Sequence, residues 1–162
     1  SMQGRKFKLS HSFWGTISLL IIEGIVLRFI SLSAGVWIIL AFSVIGALMN
    51  IYSAMEAIEE VKSSRHMLVF LSILAALFIV LFAFQYWFLI AIEPASFATL
   101  GAEPISLLLA SIMAFVFNPL YLPGTLGGEG LLVINTLASI TLVLFILQNI
   151  TQFRHRQQNI IQ

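Results

Sequence analysis

Long apolar runs alternate with short polar connections along most of the chain. Four runs approach or exceed the roughly 20 apolar residues that a helix needs to cross a bilayer: 12–30, 34–55, 67–92 and 131–150. A fifth run, 105–117, has only about thirteen apolar residues before Asn118, a length more typical of a half-inserted helix. The pattern predicts an all-α polytopic transmembrane bundle with four spans and a re-entrant half-helix, or alternatively five spans.

Composition agrees with a single membrane domain. The chain has 162 residues, of which 60% are hydrophobic and 9% charged, with a mean hydropathy of +1.04. These values lie far outside those of soluble globular domains. We expect four parts: a helical hairpin at 12–55, a cytoplasmic loop at 56–66, a span, half-helix and span at 67–150, and a cytoplasmic tail at 151–162.

The basic residues predict the orientation. Seven of the eight fall in three places: Arg5, Lys6 and Lys8; Lys62 and Arg65; and Arg154 and Arg156. With four spans all three places lie on one side, which is the cytoplasmic side because cytoplasmic loops are enriched in Lys and Arg. The loops 93–104 and 118–130 then face outward with glutamates and no basic residue. Five spans would instead translocate Arg154 and Arg156. We expect a multi-pass protein of the bacterial inner membrane with both termini cytoplasmic.

Several function classes have no residues to support them. The chain contains no cysteine and no aspartate, and its three histidines, His11, His66 and His155, are scattered in polar segments. Disulfides, thiolate metal sites and cysteine nucleophiles are therefore excluded, and no HExxH pair is present. A net charge of +1 without a basic stripe does not indicate nucleic-acid binding. We expect no enzymatic activity, no metal and no cofactor.

Polar residues inside the spans are the first candidates for function. Glu23 lies near the middle of the first span, where an ionisable group is a functional candidate by default. A protonated, hydrogen-bonded structural role is the alternative. In the second span Ser43, Gly46, Asn50 and Ser53 recur at spacings of three, four and three, which places them on one helix face. Such a face predicts a helix-packing seam.

Neighbouring spans could connect these positions. The hairpin makes the first two spans adjacent, so a polar pathway between Glu23 and Asn50 is one hypothesis. Gln85, Asn135 and Ser139 are further polar positions in the spans, and we expect them to hydrogen-bond between helices. The segment Gln85-Tyr-Trp-Phe88 resembles an aromatic belt at a membrane interface.

The stretch NPLYLPGTLGGEG at 118–130 interrupts two apolar runs. It contains four glycines and two prolines, which predict irregular backbone up to Gly130. Non-helical backbone at membrane depth is tolerated only where protein or a watery cavity satisfies its polar groups. The glycine spacing is wrong for a dinucleotide fingerprint, and no Gly-Lys-Ser/Thr follows.

The order of elements over 67–150 resembles the pore module of tetrameric cation channels. A full span, a short half-helix, a glycine run and another full span follow one another. Residues 125–127 match the Thr-x-Gly of the channel filter, Gly128 takes the aromatic position and Glu129 the place of the second glycine. The resemblance implies cation coordination by backbone carbonyls of the glycine run.

A second resemblance involves Phe117-Asn-Pro-Leu120. The motif after an apolar run is similar to one found in small uncharacterised bacterial membrane proteins. The resemblance implies membership of an uncharacterised family and does not indicate an activity.

These observations together favour passage of an ion or small solute. The predicted pathway consists of Glu23, Asn50, Thr125, Gly127, Gly128 and Glu129, with Glu103 and Glu129 concentrating cations at the outer mouth. The alternative is a non-transporting assembly or interaction protein in which the polar groups serve association. The expected partners are the lipid bilayer and either further copies of the chain or other membrane subunits.

Overall fold

The structure is a computed structural model that describes residues 2–60 and 64–161. Five α-helices and one short 3₁₀ turn follow one another in the described residues: α1 Met2–Arg28, α2 Leu32–Glu60, α3 Ser64–Ile92, the 3₁₀ turn Pro94–Phe97, α4 Pro104–Phe115 and α5 Leu126–Ile161. Within these ranges no residue is in a β-strand. The predicted all-α class is therefore confirmed.

Four helices of the described chain are long and apolar enough to cross a membrane: Ser10–Arg28, Leu32–Glu59, Arg65–Ile92 and Leu126–Ile161. The chain is an integral membrane protein of the helical-bundle class. The remaining helix, α4, has twelve residues. At 1.5 Å per residue it is about 18 Å long, roughly half of what a bilayer requires.

The helix ends differ from the predicted connections. The predicted loop at 56–66 is largely helical, because α2 continues to Glu60 and α3 begins at Ser64. Residues 56–60 contain neither glycine nor proline, and glutamate and alanine are good helix formers. Lys62, one of the basic residues in that loop, lies outside the described residues. The predicted tail is also helical, since α5 continues to Ile161.

The bundle is built around α3, which packs against all four other helices and the 3₁₀ turn. Its side chains Phe78, Leu81, Phe82 and Leu89 are fully buried. Gly46 on α2 lies directly against Leu81, since a Cβ on Gly46 would be 2.7 Å from Leu81 Cδ2. The absence of a side chain at this position brings α2 close to α3.

The short helix α4 descends along α3 and the chain then turns back. Ser111 Oγ donates a hydrogen bond of 2.7 Å to the carbonyl of Ile79, in the middle of α3. At the end of α4 the ring of Phe115 lies 5.7 Å from that of Phe78. Phe117 then adopts a left-handed backbone with φ 64°, which stops the helix. The amide of Gly124 donates to the carbonyl of Ser96 at 2.9 Å, so the chain has returned to the 3₁₀ turn before α5 begins.

Candidate functional site

Glu23 is hydrogen-bonded to Gln85. Gln85 Nε2 donates to Glu23 Oε2 at 2.8 Å and thereby joins α3 to α1. Both side chains have 0% exposure, so no solvent reaches the pair. Glu23 lies five residues before the end of α1, about 8 Å along the axis, and Gln85 seven residues before the end of α3. The pair therefore lies inside the spans, between their middles and the ends at Arg28 and Ile92.

Two oxygens of this pair have no partner. Glu23 Oε1 and Gln85 Oε1 are both buried and accept no hydrogen bond. Among the described residues, the carboxyl of Glu23 has Gln85 as its one polar partner. A buried polar atom without a hydrogen bond is costly, and a buried charge without a counter-ion is more so. These two atoms are thus the part of the site that a proton, water or cation would satisfy.

A second polar cluster lies on another side of α3. Asn135 Nδ2 on α5 donates to the Tyr86 hydroxyl at 2.8 Å. Ser139 Oγ donates to the carbonyl of Asn135 at 2.6 Å and lies 3.3 Å from its Oδ1. The ring of Phe97 packs edge-on against Tyr86 with centroids 5.3 Å apart. Tyr86 is only 2% exposed, so it is part of the core and not of an interfacial belt.

The two clusters form one layer. Gln85 and Tyr86 are consecutive, and consecutive helical residues differ by about 100° around the axis at nearly equal height. We call the following residues the polar layer: Glu23, Gln85, Tyr86, Asn135 and Ser139. It connects α1 and α5 to α3 at one depth of the bundle.

The seam predicted on α2 makes local hydrogen bonds. Ser43 Oγ donates to Ile39 O at 2.7 Å, Asn50 Nδ2 to Gly46 O at 3.2 Å and Ser53 Oγ to Met49 O at 2.9 Å. Each bond returns to the carbonyl four residues earlier on the same helix. Asn50 is buried and its Oδ1 has no partner.

Asn50 and Glu23 lie at different depths. Met49 reaches Gly15 on α1, where an added Cβ would be 2.9 Å from its terminal methyl group. Gly15 is eight residues from Glu23, about 12 Å along the helix axis. The structure therefore does not bring together the two residues that the hairpin was expected to connect; Glu23 instead contacts α3.

Thr125 caps the start of α5 and contacts Glu93. The amide of Gly128 donates to Thr125 Oγ1 at 3.2 Å, the geometry of a helix N-cap. The Thr125 hydroxyl in turn makes a hydrogen bond to Glu93 Oε1. Glu93 was expected only in an outward loop. A threonine directly before Leu126 fits the preference for threonine at a helix N-cap, but nothing local to it indicated the carboxylate 32 residues earlier.

The glycine run is the first turn of a helix. The stretch 118–130 was expected to be irregular, with the last span starting at Leu131. This expectation is wrong from Leu126 onward, because α5 begins there. A Cβ on Gly128 would be 2.6 Å from the carbonyl oxygen of Ser96, and one on Gly127 would be 2.8 Å from Val36. These glycines permit close packing of α5 on its neighbours.

Glu129 and Glu103 are both exposed. Glu129 lies in the first turn of α5 and Glu103 immediately precedes α4. Neither contacts the polar layer. In the described parts of the chain, no group of three or more His, Cys, Asp or Glu residues is arranged to hold a metal ion.

The chain matches no protein-family model, no curated protein and no solved structure.

Proposed function

We propose that the chain is a multi-pass protein of a bacterial inner membrane, with four spans, cytoplasmic termini and α4 as a re-entrant half-helix. The contacts of α4 support the last point. Ser111 and Phe115 reach the middle of α3, whereas Gly124 contacts Ser96 beyond its end. A chain that reaches mid-span and returns to its starting level enters and leaves on one side.

The outer face of this hairpin also supports membrane insertion. Large apolar side chains on α4 and the returning segment are exposed in the single chain: Ile105, Leu108, Leu109, Ile112, Val116, Leu120 and Leu122. An extramembrane helix would expose such residues to water at a high cost. In a bilayer they contact lipid chains, which are as apolar as the side chains.

The proposed activity is passage of an ion or small solute, with Glu23 and Gln85 as the intramembrane site. One observation carries this proposal: the carboxyl group of Glu23 is fully buried and has a single amide partner, Gln85. One oxygen of each side chain, Oε1, has no hydrogen-bond partner. Ionisable groups at membrane depth mark ion pathways and proton relays. The exposed glutamates Glu103 and Glu129 would concentrate cations near the outer surface.

Passage requires a change in the bundle. Since Glu23 is enclosed by the helices of its own chain, the polar layer must open transiently, or copies of the chain must associate so that the site meets a shared pathway. The proposed active form is a homo-oligomer. Thr125, Gly127 and Gly128 then act as packing residues of the outer end, and Asn50 as a separate polar position nearer the cytoplasm.

Flux into liposomes tests the activity. Purified protein is reconstituted, and fluorescent reporters of H⁺, K⁺ and Na⁺ are followed under imposed gradients. We expect flux in the wild type, loss of most of it in Glu23→Gln, and unchanged flux in Glu59→Gln, which removes an exposed carboxylate at the end of α2. Equal flux in wild type and Glu23→Gln would remove Glu23 from the pathway.

A non-transporting assembly role is the second candidate, and one observation favours it. The cluster of Tyr86, Asn135 and Ser139 forms hydrogen bonds inside the chain, as expected of groups that only hold helices together. This function predicts no flux under any gradient and stoichiometric co-purification of another membrane protein from the native membrane.

A further inference from the structure

We infer that Glu23 is a neutral carboxylic acid that donates a hydrogen bond to the side-chain carbonyl of Gln85, and that the ion handled here is a proton. The second half of this inference rests on the function proposed above; the first half does not.

The hydrogen-bonding capacities of the two side chains lead to this assignment. An amide has one NH₂ donor and one carbonyl acceptor, whereas an ionised carboxylate has acceptors only. With Gln85 Nε2 donating to Glu23 Oε2, the two remaining oxygens, Glu23 Oε1 and Gln85 Oε1, are both acceptors. Two facing side chains thus lack one donor. A single proton on Glu23 Oε1 supplies it and gives a reciprocal acid–amide pair.

Reversing the amide leads to the same state. If the carbonyl of Gln85 faced Glu23 Oε2, two acceptors would meet, and a proton on the carboxyl would again be required. An ionised Glu23 would be a fully buried charge with one neutral donor, and such charges are retained in proteins only when paired or further hydrogen-bonded. Both orientations of Gln85 therefore favour the neutral acid.

The same atoms disfavour a metal cation. Ca²⁺ takes six to eight oxygen ligands and Mg²⁺ requires a near-octahedral set. The unpartnered acceptors of this pair are two oxygens, and the described residues provide no group of three or more His, Cys, Asp or Glu side chains that could hold a metal ion. A proton shared in a hydrogen bond needs only two oxygens, and Glu23 Oε1 and Gln85 Oε1 supply them.

Infrared spectroscopy tests the protonation state directly. The protein is prepared with glutamate ¹³C-labelled at the side-chain carboxyl and reconstituted in lipid at neutral pH. We expect a C=O stretching band of a protonated carboxyl that shifts with the label, is absent in Glu23→Gln and is present in Glu59→Gln. In Gln85→Leu, which retains Glu23, the band should move to higher frequency because the carbonyl and hydroxyl lose their partners.

Each outcome of the infrared experiment supports or overturns one part of the inference. Absence of the band in the wild type, or its persistence in Glu23→Gln, overturns the neutral acid. An unshifted band in Gln85→Leu overturns the pairing with Gln85. Circular dichroism checks that Glu23→Gln is still helical. If Glu23→Gln unfolds, the isotope shift of the wild-type band and the band position in Gln85→Leu still test the inference.

The flux assay separates this inference from the proposed function. A protonated Glu23 together with H⁺ flux and no K⁺ or Na⁺ flux supports both. The band without any flux retains the acid–amide pair and removes the transport function. K⁺ or Na⁺ flux that depends on Glu23, without the band, retains transport and overturns the proton.

Discussion

Asn135 on α5 donates a hydrogen bond of 2.8 Å to the hydroxyl of Tyr86 on α3, 49 residues earlier in the chain. Both side chains are buried, and Ser139 bonds Asn135 from one turn further along α5. The contact fixes the height of α5 relative to α3, and with it the position of the end of the bundle at which α5 begins. The stability of the α3–α5 contact should therefore depend in part on the Tyr86 hydroxyl.

We expect Tyr86→Phe to lower the free energy of unfolding by about 1–2 kcal/mol, because Asn135 loses the acceptor of its amide group while packing is retained. Equilibrium unfolding in mixed micelles measures this. Thr141→Val is the matched control, since its hydroxyl is exposed and bonds only the carbonyl of Leu137. Equal stability of Tyr86→Phe and wild type would show that the hydrogen bond contributes nothing net.

Gly128 and Gly101 should differ sharply in their tolerance of a methyl group. A Cβ on Gly128 would lie 2.6 Å from a backbone oxygen of Ser96, which cannot rotate away, whereas Gly101 has nothing within 4 Å. We expect Gly128→Ala to destabilise by about 1–3 kcal/mol, the usual range for overpacking, and Gly101→Ala to be near neutral. Melting temperatures of the two variants in the same detergent compare them; similar values would contradict the packing described for α5.

Thr125 should be replaceable by serine and not by valine. Thr125→Val removes both the cap of α5 and the hydrogen bond to Glu93, and we expect a loss of about 1–2 kcal/mol, as for other N-caps. Thr125→Ser retains the hydroxyl and should restore most of it. Thr151→Val serves as the control, because it removes an exposed hydroxyl of α5 that bonds to the carbonyl of Leu147 on the same helix. If the valine and serine variants were equally stable, the start of α5 would be held by packing alone.

Single cysteines test the topology, since the chain has none of its own. With four spans and a re-entrant α4, an impermeant thiol reagent should label Glu103→Cys from outside intact cells. Gln157→Cys should be labelled only after the membrane is opened, because it lies near the C-terminal end of α5, past the apolar run 131–150, on the proposed cytoplasmic side. Labelling of both Glu103→Cys and Gln157→Cys from outside would instead establish five spans, and labelling of Gln157→Cys alone would reverse the orientation.

The sequence by itself determined the helical membrane class, the number of long helices and the shortness of α4. These follow from the length of apolar runs and from the residues that end them, both of which are local properties. Asn118-Pro119 after Phe117 favoured an early end of α4, with five full spans as the alternative. The sequence also indicated that Glu23 is unusual, since an ionisable residue within an apolar run can be recognised without knowing its contacts.

The tertiary structure alone decided which polar groups meet. Lipid and protein interior are equally apolar, so the periodicity of a span does not reveal its buried face, and rotation and tilt are set by side-chain fit between helices. Hence Glu23 contacts Gln85 on α3 and not Asn50 on the adjacent α2. The same limit applies to Gly127 and Gly128. Their flexibility suggested a loop, whereas they lie in the first turn of α5, where α2 and the 3₁₀ turn approach too closely for a side chain.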